Sequence, residues 1–297
     1  MQFANPFSLS GQWYKGNLHT HTTNSDGGNT PEEMLEAYRA AGYDFFATTD
    51  HGFVTEIEAV PDGFLWLRGV ELDGDVSEVG ECFHVVGFGL TQPATPPPHP
   101  KVPEAIAWIA EQGGLSVMAH PYWSGLTYRD LGAEGPIGLE VYNAVCEYLN
   151  AKGSSSVHWD DVLSRGRRWW GLGVDDAHAA VQSGKAWVVV KAEALSREAI
   201  VEAMRAGCFY SSTGPTIEAV EVGEEIRVRT SPVTEINFMA PSWRGRPTLA
   251  PAGETICEAA FTPRGDESYV RIEVCDAQGR RAWTNPVVWK EEQTTEQ

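Results

Sequence analysis

Short apolar runs alternate with amphipathic segments along residues 14–211. The apolar runs predict strands at 14–21, 45–49, 65–72, 83–88, 115–119, 137–142, 169–174 and 186–190. The amphipathic segments predict helices at 30–41, 102–112, 159–165 and 196–206. Strand–helix alternation at this spacing is typical of βα units, so we predict an α/β fold with a largely parallel sheet that could close into a barrel.

The predicted helix at 30–41 carries sequence signals at both ends. Thr30 is a good N-cap, Pro31 suits the first helical position, and Glu33 completes a capping box with Thr30. Gly42 then follows the last helical residue, where glycine commonly ends a helix. These signals predict the helix independently of its apolar face.

The pattern changes after residue 214. Helical periodicity disappears, and short alternating segments predict strands at 217–222, 226–229, 236–239, 256–261 and 269–275. Turn sequences at 263–266 and 276–279 separate the last of them. We therefore predict two domains: an α/β domain over 1–214 and a small all-β, sandwich-like module over 215–297, with a polar tail at 291–297 that we expect to fray.

Metal-binding side chains fall at the downstream ends of several predicted strands. They are His19, His21, His51, Glu71, His120, Asp176 and His178, while His84 lies near the start of its strand. His19 and His21 are two residues apart, so in a strand both imidazoles point to one face. Sites in parallel α/β barrels form at the carboxyl ends of the strands. Imidazole and carboxylate ligands suit Zn, Mn or Fe better than Ca.

The alternative for each histidine is a structural role, because one histidine in an apolar context is more often a core residue than a ligand. Six of the eight histidines lie in or beside predicted strands, and structural roles do not easily account for so many. The other two, His99 and His158, are expected on the surface. Asp50 and Asp175 adjoin candidate ligands and could orient imidazoles or simply hold turns.

Composition excludes several classes of protein. The 41 acidic residues outnumber the 22 basic ones, and the formal net charge is −19. Long nucleic acids normally require many Lys and Arg contacts to phosphates, so we expect a small-molecule substrate instead. No run of 18 apolar residues predicts a membrane span. The five cysteines are odd in number and scattered, and no signal peptide is evident, which favours reduced thiols in a cytoplasmic protein. The oligomeric state is not readable from the pattern.

The candidate ligands and their neighbours resemble the PHP (polymerase and histidinol phosphatase) superfamily of metallohydrolases. The matching segments are His19-Thr20-His21, Ser25-Asp26-Gly27, Thr49-Asp50-His51, Val70-Glu71, His84, Ala119-His120-Pro121 and Asp176-Ala177-His178. They occur in the expected order over residues 17–178. Segments 120–125, 140–143 and 209–215 further resemble the CehA/McbA-like branch, which includes phosphoesterases and carbamate hydrolases.

This resemblance implies a distorted (β/α)7 barrel that binds two or three divalent ions, with the all-β module outside the shared motifs. Zn, Mn and Fe all suit the ligands. By the resemblance, the first ion would be held by His19, His21, Glu71 and Asp176. The second would be held by Glu71, His84 and His120, with Glu71 bridging, and the third by Asp26, His51 and His178.

The implied activity is hydrolysis of a small or short-chain phosphate ester, an anionic substrate that suits a positive pocket. A hydroxide shared by two metal ions would attack phosphorus. The catalytic candidates are His178, His21 and Asp176, of which His178, His21 or a metal-bound water would assist the leaving alkoxide. The candidate substrate contacts are Arg129, Tyr122, Trp123, Asn143, Ser212 and Thr213.

Two other functions remain open at this point. The same hydroxide could attack the carbonyl carbon of a carboxylic ester, an amide or a carbamate. A non-catalytic metal-binding module that presents the β-module to a partner is the third possibility. The complete ligand set argues against the third, because we expect a degenerate family member to lose ligands.

Overall fold

The computed structural model describes residues 5–288. The α-helices in this range are α1 (Pro31–Ala40), α2 (Val102–Glu111), α3 (Ala144–Asn150), α4 (Ser156–Ser164) and α5 (Arg197–Arg205). The first nine strands are β1 (Gln12–Asn17), β2 (Phe45–Thr48), β3 (Leu65–Val76), β4 (Cys82–Leu90), β5 (Leu115–Met118), β6 (Gly138–Asn143), β7 (Trp170–Val174), β8 (Trp187–Ala192) and β9 (Phe209–Ser212). The others are β10 (Ile217–Val222), β11 (Ile226–Val233), β12 (Glu235–Met239), β13 (Arg246–Leu249), β14 (Ile256–Phe261), β15 (Arg271–Cys275) and β16 (Arg281–Thr284).

The fold is mixed α/β, dominated by one sheet of thirteen strands. Its order is β13-β12-β15-β16-β9-β8-β1-β2-β3-β4-β5-β6-β7. Parallel pairing joins β1 to β2, β2 to β3, β5 to β6 and β6 to β7. The prediction of a largely parallel sheet is wrong for β4 and β8, which run antiparallel to both of their neighbours. For β4 the reason is a direct hairpin from β3, which needs no crossover helix.

A side chain joins β9 to β7, which lies at the far edge of the sheet. The Ser211 hydroxyl on β9 accepts a hydrogen bond from the Gly173 N–H (2.8 Å) and donates one to the Gly171 carbonyl oxygen (2.8 Å) on β7. A short parallel bridge also joins Thr20 to Ala177. The sheet therefore curls until β7 faces β9. The exact (β/α)7 barrel implied by the resemblance remains a prediction.

Both faces of the curled sheet are packed. Phe45 and Ala47 on β2 belong to one apolar core, whereas Phe46 between them packs with Met34 and Tyr38 of α1 in another. This alternation follows from the two-residue period of a strand. The capping box at Thr30 and Glu33 is present, which confirms the predicted start of α1.

Gly16 on β1 faces the fully buried Phe45 ring, and a Cβ at this position would overlap that ring. We expect Gly16→Ala to lower the free energy of unfolding by about 1–3 kcal/mol, the usual cost of overpacking a core. Urea denaturation followed by circular dichroism measures the change. Gly132→Ala is the matched control, since its added methyl would meet no atom within 4 Å. Equal stability of both variants would contradict this packing.

Several element boundaries differ from the predictions. β1 ends at Asn17, so His19 and His21 follow the strand instead of closing it, and β3 continues to Val76, which places Glu71 within the strand. α4 begins at Ser156, three residues before the predicted start. The seven-residue helix α3 was not predicted, because its signal is short. The predicted fraying at 291–297 lies outside the described residues.

The strands after residue 214 continue the main sheet. β16 pairs with β9, and β15, β12 and β13 follow it outward. A second sheet of β10, β11 and β14 packs against them through a separate apolar core. Residues 215–288 contain no α-helix, but the predicted domain boundary at 214/215 stays a prediction. No helix within residues 5–288 is long and apolar enough to cross a membrane.

Candidate metal centre

All nine candidate ligands lie in one cluster of side chains. The clustered side chains are those of His19, His21, Asp26, His51, Glu71, His84, His120, Asp176 and His178. Two of them, His120 (φ 27°) and Asp176 (φ 56°), have left-handed backbone conformations. Such conformations cost energy in non-glycine residues and concentrate at functional sites.

Four ligand atoms form a compact group at the bottom of the cluster. The Nε2 atoms of His19 and His21 lie 3.1 Å apart, and each lies 3.1 Å from the Glu71 Oε2 atom. The Asp176 Oδ1 atom lies 3.2 Å from His19 Nε2 and 3.1 Å from His21 Nε2. Ligands at about 2.0–2.1 Å from a tetrahedral zinc ion are themselves roughly 3.3 Å apart, so these spacings are close to those of a coordination shell.

Glu71 reaches a second group of ligands with its other oxygen. Its Oε1 atom lies 2.8 Å from His84 Nδ1 and 3.3 Å from His120 Nε2. The His51 Nδ1 atom lies 3.4 Å from the Oε2 atom of the same carboxylate. Glu71 is 1 % exposed, so one buried carboxylate serves both groups.

The third group lies nearer to solvent. The Asp26 Oδ2 atom lies 3.4 Å from His178 Nε2 and 3.8 Å from His51 Nε2. The Asp26 Oδ1 atom lies 3.4 Å from His21 Nδ1, so His21 faces two groups with its two ring nitrogens. Asp26 is about half exposed, in contrast to Glu71. This group is therefore looser and more accessible than the other two.

The geometry of the cluster by itself suits divalent cations. The Asp176 Oδ1 atom is buried and has no hydrogen-bond partner. A buried, unpaired carboxylate oxygen is costly unless a cation approaches it. Burial lowers the pKa of His21, but the carboxylates of Asp176 and Glu71 outweigh it and raise that pKa to about 9. The surrounding carboxylates thus stabilise positive charge at this point, which a metal ion would supply.

Glu140 is a functional residue that was not predicted. Its Oε1 atom lies 2.6 Å from His19 Nδ1, and its Oε2 atom accepts hydrogen bonds from the His120 N–H (2.8 Å) and Asn143 Nδ2 (2.9 Å). An N–H at His19 Nδ1 directs the Nε2 lone pair toward the ligand group. The available signal was an acidic residue within the apolar strand at 137–142.

Asp50 and Asp175 do not orient imidazoles, so the alternative of turn-holding residues is the correct one. Asp50 accepts hydrogen bonds from the side chains of Thr22, Ser25 and Thr55. Asp175 accepts three from backbone N–H groups at 184–186. Both carboxylates hold the loops that carry the ligands.

No protein-family model and no curated protein matches this chain. Among solved structures, a two-domain protein from Bacteroides vulgatus that contains a predicted PHP-like metal-dependent phosphoesterase aligns with 93% of this chain and 94% of its own, at a TM-score of 0.53 and 16% identity. The chain has a PHP-like fold. At this identity the likeness concerns the fold alone.

Two further solved structures are similar over part of the chain. An amidohydrolase from Chromobacterium violaceum with bound sulfate covers 55% of this chain and 87% of its own, at 17% identity and a TM-score of 0.41. The lesion-specific endonuclease PfuEndoQ from Pyrococcus furiosus covers 65% of this chain and 56% of its own, at 14% identity and a TM-score of 0.47.

In this PHP-like fold the ligand cluster opens into a cavity of about 220 Å³. The residues that line it are Asp26, His51, Glu71, His84, His120, Trp123, Val145, Cys146, Leu149, Asn150, Asp176 and His178. Trp123 is the one predicted substrate contact among them. Val145, Cys146, Leu149 and Asn150 were not predicted, since α3 was not.

The structure places the other predicted substrate contacts away from the cavity lining. Arg129 pairs with Glu78 at 3.1 Å on the surface. Tyr122 lies in the same segment between β5 and β6 and is exposed. Asn143 is buried and donates to the Asp176 Oδ2 atom (3.1 Å), so it holds a ligand. The hydroxyl groups of Ser212 and Thr213 bond to backbone carbonyl groups of Pro215 and Arg281.

We expect Glu140→Gln to lower metal affinity or activity by about 10–100-fold, the range for residues that orient a metal ligand. The Gln amide has a single oxygen, so its NH₂ group must face either His19 Nδ1 or the donors at His120 and Asn143. Calorimetric metal titration measures the effect. Glu147→Gln is the control, because Glu147 is an exposed residue that accepts from the Gly153 N–H outside the cluster. Equal losses in both variants would argue against an orienting role.

Proposed function

We propose that the protein is a metal-dependent phosphoesterase that hydrolyses a small phosphate ester. The observation that carries this proposal is Glu71, whose two buried oxygens lie within 2.8–3.4 Å of imidazole nitrogens in two adjacent ligand groups. A carboxylate in this position can join two ions, and paired metal ions are a recurrent feature of phosphoester hydrolysis.

The residues present would hold up to three ions in the arrangement that the resemblance implies. The first ion would take His19, His21, Glu71 and Asp176, the second Glu71, His84 and His120, and the third Asp26, His51 and His178. Bound divalent ions would supply water of lowered pKa and would neutralise charge on phosphoryl oxygens. Zn, Mn and Fe each remain candidates for these positions.

His178 is the best placed of the catalytic candidates to meet a leaving group. Its Nδ1 atom donates to the Asp176 carbonyl oxygen (2.8 Å), so Nε2 is turned toward the other ligands at the cavity. Its side chain is 30 % exposed, whereas His21 is fully buried. We assign proton delivery to the leaving oxygen to His178 when the third ligand group holds no ion, because an Nε2 atom that binds a metal carries no proton. His21 and Asp176 would hold the innermost ligand group.

The size and charge of the protein favour a small substrate. A cavity of about 220 Å³ is below the roughly 300–1,000 Å³ typical of sites for drug-sized ligands. The net charge of −19 disfavours long nucleic acid. We also propose a cytoplasmic location, because the five scattered cysteines suit reduced thiols.

The segments at 120–125, 140–143 and 209–215 support placement in the CehA/McbA-like branch, and with it a second candidate activity. In that case the same site would hydrolyse a carboxylic ester, an amide or a carbamate. A panel of p-nitrophenyl phosphate, bis(p-nitrophenyl) phosphate, p-nitrophenyl acetate and an aryl carbamate separates the two. Fastest turnover on the carbamate would replace the phosphoesterase proposal.

Metal removal tests the proposal directly. We expect dialysis against a chelator to remove phosphoesterase activity and re-addition of Mn²⁺, Zn²⁺ or Fe²⁺ to restore it. The reason is that the bound ions would be the source of the activated water. Elemental analysis before and after dialysis gives the number of ions lost. Activity that persists in protein shown to be metal-free would refute the mechanism, and bound metal without turnover on any ester would favour the non-catalytic module.

A further inference from the structure

The cavity has two chemically different walls. One wall consists of the histidines and carboxylates of the ligand cluster. The other is mainly apolar and consists of Trp123, Val145, Cys146 and Leu149, with Asn150 as its one polar residue. A substrate whose phosphoryl group meets the ligand cluster can place the rest of the molecule along this second wall.

Trp123 is held in a fixed position at the boundary between the walls. Its ring meets the His120 ring edge-on, with centroids 5.0 Å apart, and its Nε1 atom donates to Asn150 Oδ1 (3.1 Å). The ring is nevertheless 40 % exposed, and Leu149 nearby is 62 % exposed. Both side chains therefore have apolar surface left for a bound molecule.

The loop that carries Trp123 is fixed from outside by the turn between β3 and β4. Glu78 in that turn accepts hydrogen bonds from the Thr127 hydroxyl (2.7 Å) and from Arg129 (3.1 Å). The Arg129 guanidinium is therefore paired with an exposed carboxylate, and these contacts tie the loop to the turn between β3 and β4.

The apolar wall offers no cation to a second anionic group. Of the lining residues in the described part of the chain, none is Lys or Arg. A leaving group with its own phosphate or carboxylate would lose solvation there without gaining a charged partner. A flat apolar group would instead bury surface against Leu149 and stack or pack edge-on against Trp123.

We propose that Trp123 and Leu149 form a subsite that selects phosphate esters with a neutral aromatic leaving group. This inference rests on the proposed phosphoesterase function. It goes further by naming the class of the leaving group and the two residues that recognise it. An aromatic pair contributes enough to change substrate selection about two- to tenfold, which sets the size of the expected effect.

The test compares 2-naphthyl phosphate with methyl phosphate in the metal-loaded enzyme. We expect Trp123→Ala and Leu149→Ala each to lower the ratio of kcat/KM for the naphthyl ester to that for the methyl ester about two- to tenfold, mainly through KM. Using a ratio for each variant cancels the different reactivities of the two leaving groups. Trp123→Phe should retain most of the preference, because it keeps an aromatic face and loses only the bond to Asn150.

Tyr148→Ala is the matched control for Leu149→Ala. Tyr148 is the neighbouring residue on α3, is 83 % exposed and does not line the cavity, so the substrate ratio should stay at the wild-type value. Circular dichroism spectra and metal content establish that each variant is folded and loaded. An unchanged ratio in Trp123→Ala and Leu149→Ala would overturn the subsite.

A binding measurement separates failure of this inference from failure of the proposed function. The neutral product 2-naphthol is titrated into wild type and Trp123→Ala, and binding is followed by its own fluorescence. Weaker binding to the variant supports the subsite even if the enzyme hydrolyses no phosphate ester. Equal binding to both proteins, or no binding to wild type, overturns it even if phosphoesterase activity is present.

Discussion

Glu71→Gln is expected to lower kcat/KM by more than about 100-fold, beyond the 10–100-fold range for residues that only orient a ligand. The Oε2 atom of Glu71 lies 3.1 Å from both His19 and His21, and its Oε1 atom lies 2.8 Å from His84. A Gln side chain keeps the shape but has one acceptor oxygen in place of two. One of the two ligand groups must therefore lose its carboxylate oxygen, together with the negative charge that attracts a cation.

Elemental analysis and steady-state kinetics of the purified variant measure the two consequences. We expect fewer bound ions per chain as well as the loss of activity. Asp73→Asn is the matched control, since Asp73 lies two residues along the same strand but pairs with the exposed His99 at 3.0 Å. If Glu71→Gln kept the wild-type metal content and turnover, the shared carboxylate would have no role in metal binding.

Arg271→Ala is expected to lower the free energy of unfolding by about 3–5 kcal/mol, the usual cost of breaking a buried ion pair by removing one partner. Arg271 is fully buried on β15, and its guanidinium makes two hydrogen bonds to Asp160 at 2.8 and 2.9 Å. A third bond reaches Glu273 at 3.0 Å. Removing the cation leaves Asp160 without both guanidinium bonds, whereas Glu273 keeps its ion pair with Arg281 (2.6 Å).

Chemical denaturation with a two-state fit measures this effect. The control is Arg229→Ala, which removes one member of an exposed pair with Glu218 (3.0 Å) and should change stability by less than about 1 kcal/mol. Similar small losses in both variants would mean that the Arg271 network contributes little. Because Asp160 lies on α4, this network also fastens the strands after residue 214 to the helices before it.

The sequence by itself was sufficient for the features that depend on local chemistry. The Thr30–Glu33 capping box predicted the start of α1, because both partners lie within one helical turn. Most strand positions followed from apolar runs, since both faces of this sheet are buried, but β9, β13 and β16 were not predicted. Eight of the nine candidate ligands came from residue identity and from their places in or near predicted strands, and Asp26 came from the resemblance to the PHP superfamily. The structure brings all nine together.

Only the tertiary structure decided the features that depend on which distant residues meet. The antiparallel runs of β4 and β8 and the Ser211 contact to β7 are set by long-range pairing, which the apolar pattern does not encode. Glu140 lies 121 positions from His19 in the sequence, so its role at His19 Nδ1 has no local signal. Arg129 was a candidate substrate contact in the sequence, and only the fold shows that Glu78 lies beside it, at 3.1 Å. Strand positions can thus be predicted from the sequence of apolar and polar residues. The partners of a charged side chain are decided only by the tertiary structure, because they lie far apart in the chain.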